Sequence, residues 1–293
     1  MATPTKWTSS RLIHASSEIT PVNFAQFGEV IENPLTAAHQ SKHQSIVANQ
    51  GSATKYLDIT HIDNHYATLA PSRKPARAVM NMFVCKPREL TTSAATGKKV
   101  FKVEILERHP FTPQTFIPLG VSTNDLTSRY LVIVAPTLPS TTRGPNDPLE
   151  KPYPAEAPRR AAKSLKSRLL GARPNPFTND HTAVTTPPVP MTSERKPKGP
   201  GGPDLTNLQA FIVRGDQAVT YGPGTWHAPM VVLGDKDIPF VVVQYANGVG
   251  LEDCQESAIG AIDGGEGVVV DVGEEKGDGE QLASGAGIMR AKL

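Results

Sequence analysis

The sequence predicts an all-β fold, an antiparallel barrel or sandwich assembled from two halves of the chain. Three observations carry this expectation: many short runs rich in β-branched and aromatic residues, turn chemistry between them, and hardly any helical periodicity. The runs stop after Pro136 and resume after Pro203, which divides the barrel in two.

Along the first half, residues 18–35 read as a short turn of helix around Phe24 and Phe27 leading into a first strand ending near Ile31. Residues 44–48 and 55–60 are short strands separated by the turn residues Asn49-Gln50-Gly51. The run 78–85 (AVMNMFVC) is a firmer strand, and 100–109 (VFKVEILERH) alternates clearly. Residues 114–118 (QTFIP) follow a Pro-bounded turn, and 130–135 (YLVIVA) is a continuous apolar run, as expected of a strand buried on both faces. In the second half the strand pattern covers 208–213, 218–221, 230–233, 240–246 and 268–272. The expected organisation is therefore a first barrel part (1–136), a Pro-rich insertion (137–202), a second barrel part (203–272) and a Gly-rich flexible tail (273–293). A connection as long as the insertion is foreign to a compact barrel and is expected to be mobile. Its basic stretch 159–173 reads as one short amphipathic helix with a solvated charged face.

Composition excludes several function classes. The net charge of +2 gives no electrostatic footprint for nucleic acid or for a membrane surface. The two cysteines, Cys85 and Cys254, form neither a disulfide framework nor a structural zinc motif. The first residues lack the apolar core of a secretion signal, so an intracellular protein is expected. The chain ends Arg290-Ala291-Lys292-Leu293, a close variant of the Ser-Lys-Leu peroxisomal address, so the peroxisome is the expected location, with the cytoplasm as the alternative.

Two segments carry candidate chemistry. Strand alternation puts Phe101, Val103, Ile105, Glu107 and His109 on one inward face, with Lys102, Glu104 and Arg108 on the other and Leu106 as the exception. An acid–histidine pair at the end of an inward row is a candidate site, because burying both is costly without partners. Continuing through the turn, Gln114 and Phe116 share that cavity. The second segment is Tyr221-Gly222-Pro223-Gly224-Thr225-Trp226-His227, a tight turn that brings an aromatic and a histidine to the barrel mouth. The alternatives are a strand end reaching water for the first segment, which stands level with a functional role for Glu107 only, and a structural hairpin for the second; the site reading is preferred for His109 and His227. The chain has no Walker loop, no Gly-x-Ser-x-Gly and no dinucleotide fingerprint. Cys254 has only acids beside it, which raise a thiol pKa and disfavour a nucleophile.

These motifs resemble those of the ureidoglycolate lyase family of cupin-type barrels. The resemblance is carried by Glu107-Arg108-His109-Pro110, Gln114-x-Phe116-Ile117-Pro118, Pro203-Asp204-Leu205-x-x-Leu208-x-Ala210-Phe211, Val219-x-Tyr221, Trp226-His227-x-Pro229 and Asp253-Cys254. Asn49-x-Gly51 and Tyr56 add to it. It spans about Ile19 to Glu256 apart from the insertion, which with the tail resembles fungal-style elaborations. It implies a jelly-roll homodimer that converts ureidoglycolate to glyoxylate and urea. By the resemblance and the inward geometry, His227 and His109 form the acid–base pair and Glu107 orients them or shares the proton. Gln114 and Tyr221 would bind the ureido group or the carboxylate, and Phe116 and Trp226 would exclude water. Metal-binding cupins show His-x-His followed by Glu, whereas the first motif here supplies one histidine. A metal is thus left open, with Glu107, His109, Gln114 and His227 as a loose divalent set. The alternatives are a metal-dependent cupin dioxygenase or isomerase, and a non-catalytic ligand-binding barrel.

Overall fold

A computed structural model describes residues 5–35, 43–139, 195–262 and 264–273. The basic stretch 159–173, most of the insertion and the terminal Ala291-Lys292-Leu293 lie outside the described residues. The order begins with β1 (Thr5–Thr8), β2 (Arg11–His14), β3 (Gly28–Ile31), β4 (Ser45–Ala48) and β5 (Ala53–Tyr56). A one-turn helix α1 (Tyr66–Leu69) precedes β6 (Arg77–Cys85), β7 (Thr91–Thr92), β8 (Lys99–Val103), β9 (Ile105–Arg108), β10 (Gln114–Pro118) and β11 (Arg129–Ala135). Beyond the insertion come β12 (Gln209–Arg214), β13 (Ala218–Tyr221), β14 (Trp226–His227), β15 (Val231–Leu233) and β16 (Ile238–Ala246). A short helix α2 (Gly250–Asp253), β17 (Gln255–Gly260) and β18 (Val268–Asp271) complete it. The fold is all-β and cupin-like.

Two large sheets form the barrel. One runs β1-β17-β9-β14-β11-β12 with β15 also on β11; the other runs β3-β13-β10-β16-β6. They face each other across a core containing Tyr130, Val132, Val134, Phe116, Tyr221, Phe211 and Phe240. The reverse face of the first sheet is covered by β2-β18-β8-β7, around Leu131, Ile133, Ala135, Leu106, Trp226, Val268 and Val270. Strand β11 therefore has a core on each face, which is why its sequence is a continuous apolar run. Each such side chain, fully buried, is worth about 1.5–3 kcal/mol of transfer free energy.

The expectation of one strand over 100–109 needs correction. The run breaks at Glu104: β8 joins the covering sheet through β18, and β9 joins the first barrel sheet between β17 and β14. Alternation restarts with the opposite phase after the break. Ile105 is 43% exposed while Leu106 is wholly buried beside Phe101 and Val103. Glu107 and His109 still share a face, but it is the barrel face and not that of Phe101 and Val103. Arg108, expected in solvent, is buried with its guanidinium 4.5 Å from the Trp226 ring. Strands β1, β2, β14 and β17 have no counterpart in the sequence reading, and the expected strand over 55–60 ends at Tyr56. The described ends of the insertion lie on the barrel: Thr137 bridges to Pro203, and Arg195 pairs with Asp63 at 2.8 Å.

Candidate active site

Four strands bring the predicted residues other than Trp226 together at one end of the barrel core. Glu107 on β9 and His227 on β14 are direct cross-strand partners. Gln114 on β10 is the partner of Tyr221 on β13. Tyr221 stacks flat on His227, with ring centroids 4.0 Å apart and planes 7° apart. Phe116 packs edge-on against Tyr221 at 6.0 Å and forms the apolar floor. His109, just past β9, lies 5.7 Å from the His227 ring.

Backbone carbonyls fix both imidazoles. The Nδ1–H of His109 donates to the carbonyl of Asp253 at 2.6 Å, and that of His227 to the carbonyl of Thr225 at 3.0 Å. Each carbonyl is itself held in place. The Asp253 carboxylate accepts from the backbone N–H groups of Asn247 and Gly248, and Glu252 accepts from Ser72 and Asn247, which clamps α2. The turn before β14 is pinned through Gly224, whose φ of 76° favours glycine and whose N–H donates to the His109 carbonyl at 2.9 Å. The Thr225 hydroxyl anchors the same turn to the Phe27 carbonyl at 2.9 Å.

The two rings differ in what their Nε2 atoms meet. His109 Nε2 is buried and has no hydrogen-bond partner among the described residues. With Nδ1 donating, Nε2 carries an open lone pair. Burial first, and the neighbouring His227 second, push His109 down to about 4, against an opposing pull from Glu107. His227 Nε2 instead lies 3.1 Å from Gln114 Oε1 and 3.6 Å from Glu107 Oε1. Gln114 is oriented by donating its Nε2–H to Gln244 Oε1 at 2.7 Å. Every neighbour of the His227 nitrogens is then an acceptor. Burial would raise the Glu107 carboxyl, but its interactions with His227, His109 and the Cys254 thiol outweigh this and hold it below its ordinary value. Burial and the nearby Glu107 push the Cys254 thiol up to about 12, so it is not a nucleophile.

Among the described residues, the donor atoms of Glu107, His109 and His227 lie within 4.8 Å of one another. Both histidines donate Nδ1–H to a carbonyl and aim Nε2 inward, the outer-shell pattern of metal-ligating histidines, and His109 Nε2 is unpartnered. These residues fit a divalent cation.

Trp226 does not join the site. As the neighbour of His227 in an extended strand it points to the opposite face, packs in the covering core and donates its indole N–H to Gly201. Gln244 belongs to the site although the sequence reading passed over it. Its signal was a single amide within the apolar run of β16.

Comparison with known proteins identifies the family. The sequence model described as ureidoglycolate lyase matches residues 11–262. A ureidoglycolate lyase from Schizosaccharomyces pombe is 28% identical over 81% of this chain and 86% of its own length. One from Saccharomyces cerevisiae is 26% identical over 78% and 83%, and one from Burkholderia mallei 25% over 77% and 78%. The matched span includes every barrel strand that contributes to the site, and the chain belongs to the ureidoglycolate lyase family.

Proposed function

We propose that this chain cleaves ureidoglycolate to glyoxylate and urea. The observation that carries the mechanism is the unequal pair of histidines: one buried and neutral with an open lone pair, the other surrounded by acceptors. Ureidoglycolate has a hydroxyl and a ureido nitrogen on one carbon, so its cleavage is the collapse of a carbinolamide. His109 Nε2 takes the hydroxyl proton as the C=O bond forms. The C–N bond breaks with its electron pair on nitrogen, which receives the proton from His227 Nε2, and urea leaves. Returning the proton from His109 to His227 resets the site. Glu107 orients His227 or shares the proton it delivers, Tyr221 fixes the plane of the ring, and Gln114 meets the ureido group. A divalent cation held by Glu107, His109 and His227 would occupy both Nε2 atoms; it would take the place of this proton shuttle and supply polarisation of a substrate oxygen instead. Glyoxylate formation by the purified protein before and after exhaustive chelation tests both parts of this reading.

The working form proposed here is a homodimer in the peroxisome. For the dimer, the support is the outer face of the second barrel sheet. Ile117, Val241 and Met82 lie in one cross-strand row, and Met80, Met82 and Val84 are 71%, 58% and 59% exposed on the edge strand β6. A second copy covering this face would remove an unusual apolar surface from water. For the peroxisome, the support is the terminal Ala291-Lys292-Leu293, a close variant of the Ser-Lys-Leu address that an import receptor reads.

A further inference from the structure

We propose that Gln244 is a specificity-determining residue of this site: its amide carbonyl aligns Gln114, and its amide NH2 binds an acceptor oxygen of the substrate, either the ureido carbonyl or the carboxylate. This rests on the lyase reading above and extends it to a residue outside the predicted set.

Register places the two amides side by side. Thr115 pairs with Val243, so Gln114 and Gln244 stand next to one another across β10 and β16. Gln244 is in phase with Phe240 and Val242, both buried in the barrel core. An amide in such an inward row is costly unless its polar atoms are matched. Its two ends are chemically distinct. Oε1 accepts from Gln114 Nε2 at 2.7 Å, and this turns Gln114 Oε1 toward His227 Nε2 at 3.1 Å. The NH2 of Gln244 has no acceptor among the described residues, and the side chain is half-buried. It therefore offers two donors beside the acid–base pair. Ureidoglycolate carries acceptor oxygens on both groups that flank its reacting carbon, so a donor here distinguishes it from a compound with an apolar group in either place.

The test separates the two ends of the amide. Gln244→Glu keeps an acceptor for Gln114 and removes the donors; Gln244→Leu removes both. With ureidoglycolate, Gln244→Glu is expected to raise KM by roughly tenfold or more while kcat stays within about threefold. Gln244→Leu is expected to raise KM similarly and to lower kcat by roughly tenfold, and the Gln114→Leu/Gln244→Leu double variant to have the kcat of Gln114→Leu alone. Calorimetric titration with N-carbamoylglycine, which lacks the hydroxyl and cannot collapse, reads recognition without chemistry. A Kd weakened roughly tenfold in Gln244→Glu supports the proposal even if ureidoglycolate is not turned over, in which case the lyase reading alone fails. Wild-type Kd and KM in Gln244→Glu, or additive kcat losses in the double variant, would overturn it. So would a wild-type protein that binds no N-carbamoylglycine. Should Gln244→Leu fail to fold by circular dichroism, Gln244→Met replaces it in the cycle.

Discussion

His109 and His227 face each other with 5.7 Å between ring centroids, yet their Nε2 atoms meet different surroundings. Among the described residues, one has a carbonyl on Nδ1 and nothing on Nε2; the other has a carbonyl on Nδ1 and two acceptors around Nε2. The proposed mechanism uses that difference to tell base from acid, which residue order alone left open.

Loss of either ring removes one proton transfer. His227→Ala and His109→Gln are each expected to lower kcat by about 10²–10⁴-fold while the far-ultraviolet circular dichroism stays that of the wild type. Steady-state kinetics on the folded variants checks this, and kcat within about threefold of wild type would remove that histidine from the mechanism.

The buried, neutral His109 also makes stability depend on pH. Its folded value, about 4, lies below its ordinary 6.5. Between those values the unfolded chain binds the proton and the native protein does not, so the unfolding free energy falls as pH drops from 6.5 toward 4. It levels off, for this group, below 4. Each unit of difference corresponds to about 1.4 kcal/mol. Urea unfolding across this range, in wild type and in His109→Gln, is expected to show a shallower decline in the variant. Parallel curves would mean that His109 titrates alike in both states.

Trp226 supplies stability rather than a wall for the site. Trp226→Ala should destabilise the protein by about 3–5 kcal/mol, through a cavity in the covering core and loss of the Arg108 stack. The fraction still folded should keep kcat within about threefold. A large drop in kcat without loss of stability would return Trp226 to the site.

The apolar row on the outer sheet face predicts the oligomer. Met82→Glu puts a charge where the partner's face would lie, and light scattering coupled to size exclusion is expected to show a monomer in place of a dimer. A dimer unaffected by the change would locate the interface elsewhere.

Legibility in the sequence followed how strongly each strand is buried. The run 130–135 was readable because both its faces meet a core, and Gln114 with Phe116 because a Pro-bounded turn starts their strand. Strands β1 and β17 were hidden because they are held largely by backbone pairing and carry Thr, Lys, Gln, Glu and Ser at most positions. The break at Glu104 left no mark, since Val103 and Ile105 keep the alternating pattern across the change of sheet. That Glu107 and His109 share a face survived the error because both lie beyond the break. Trp226 was misassigned for a related reason: a two-residue strand gives no periodicity from which to tell its faces apart. The amide pairing of Gln114 with Gln244 needs the register of two strands whose residues stand 130 positions apart, information that no local pattern contains.

The most direct measurement of the central claim is the product stoichiometry of the purified protein acting on ureidoglycolate, with urea, glyoxylate and ammonia assayed together. A lyase releases urea and glyoxylate in equal amounts and no ammonia. Ammonia in place of urea would contradict the claim by making the reaction a hydrolysis of the ureido group, and absence of turnover would contradict it by leaving only a binding barrel.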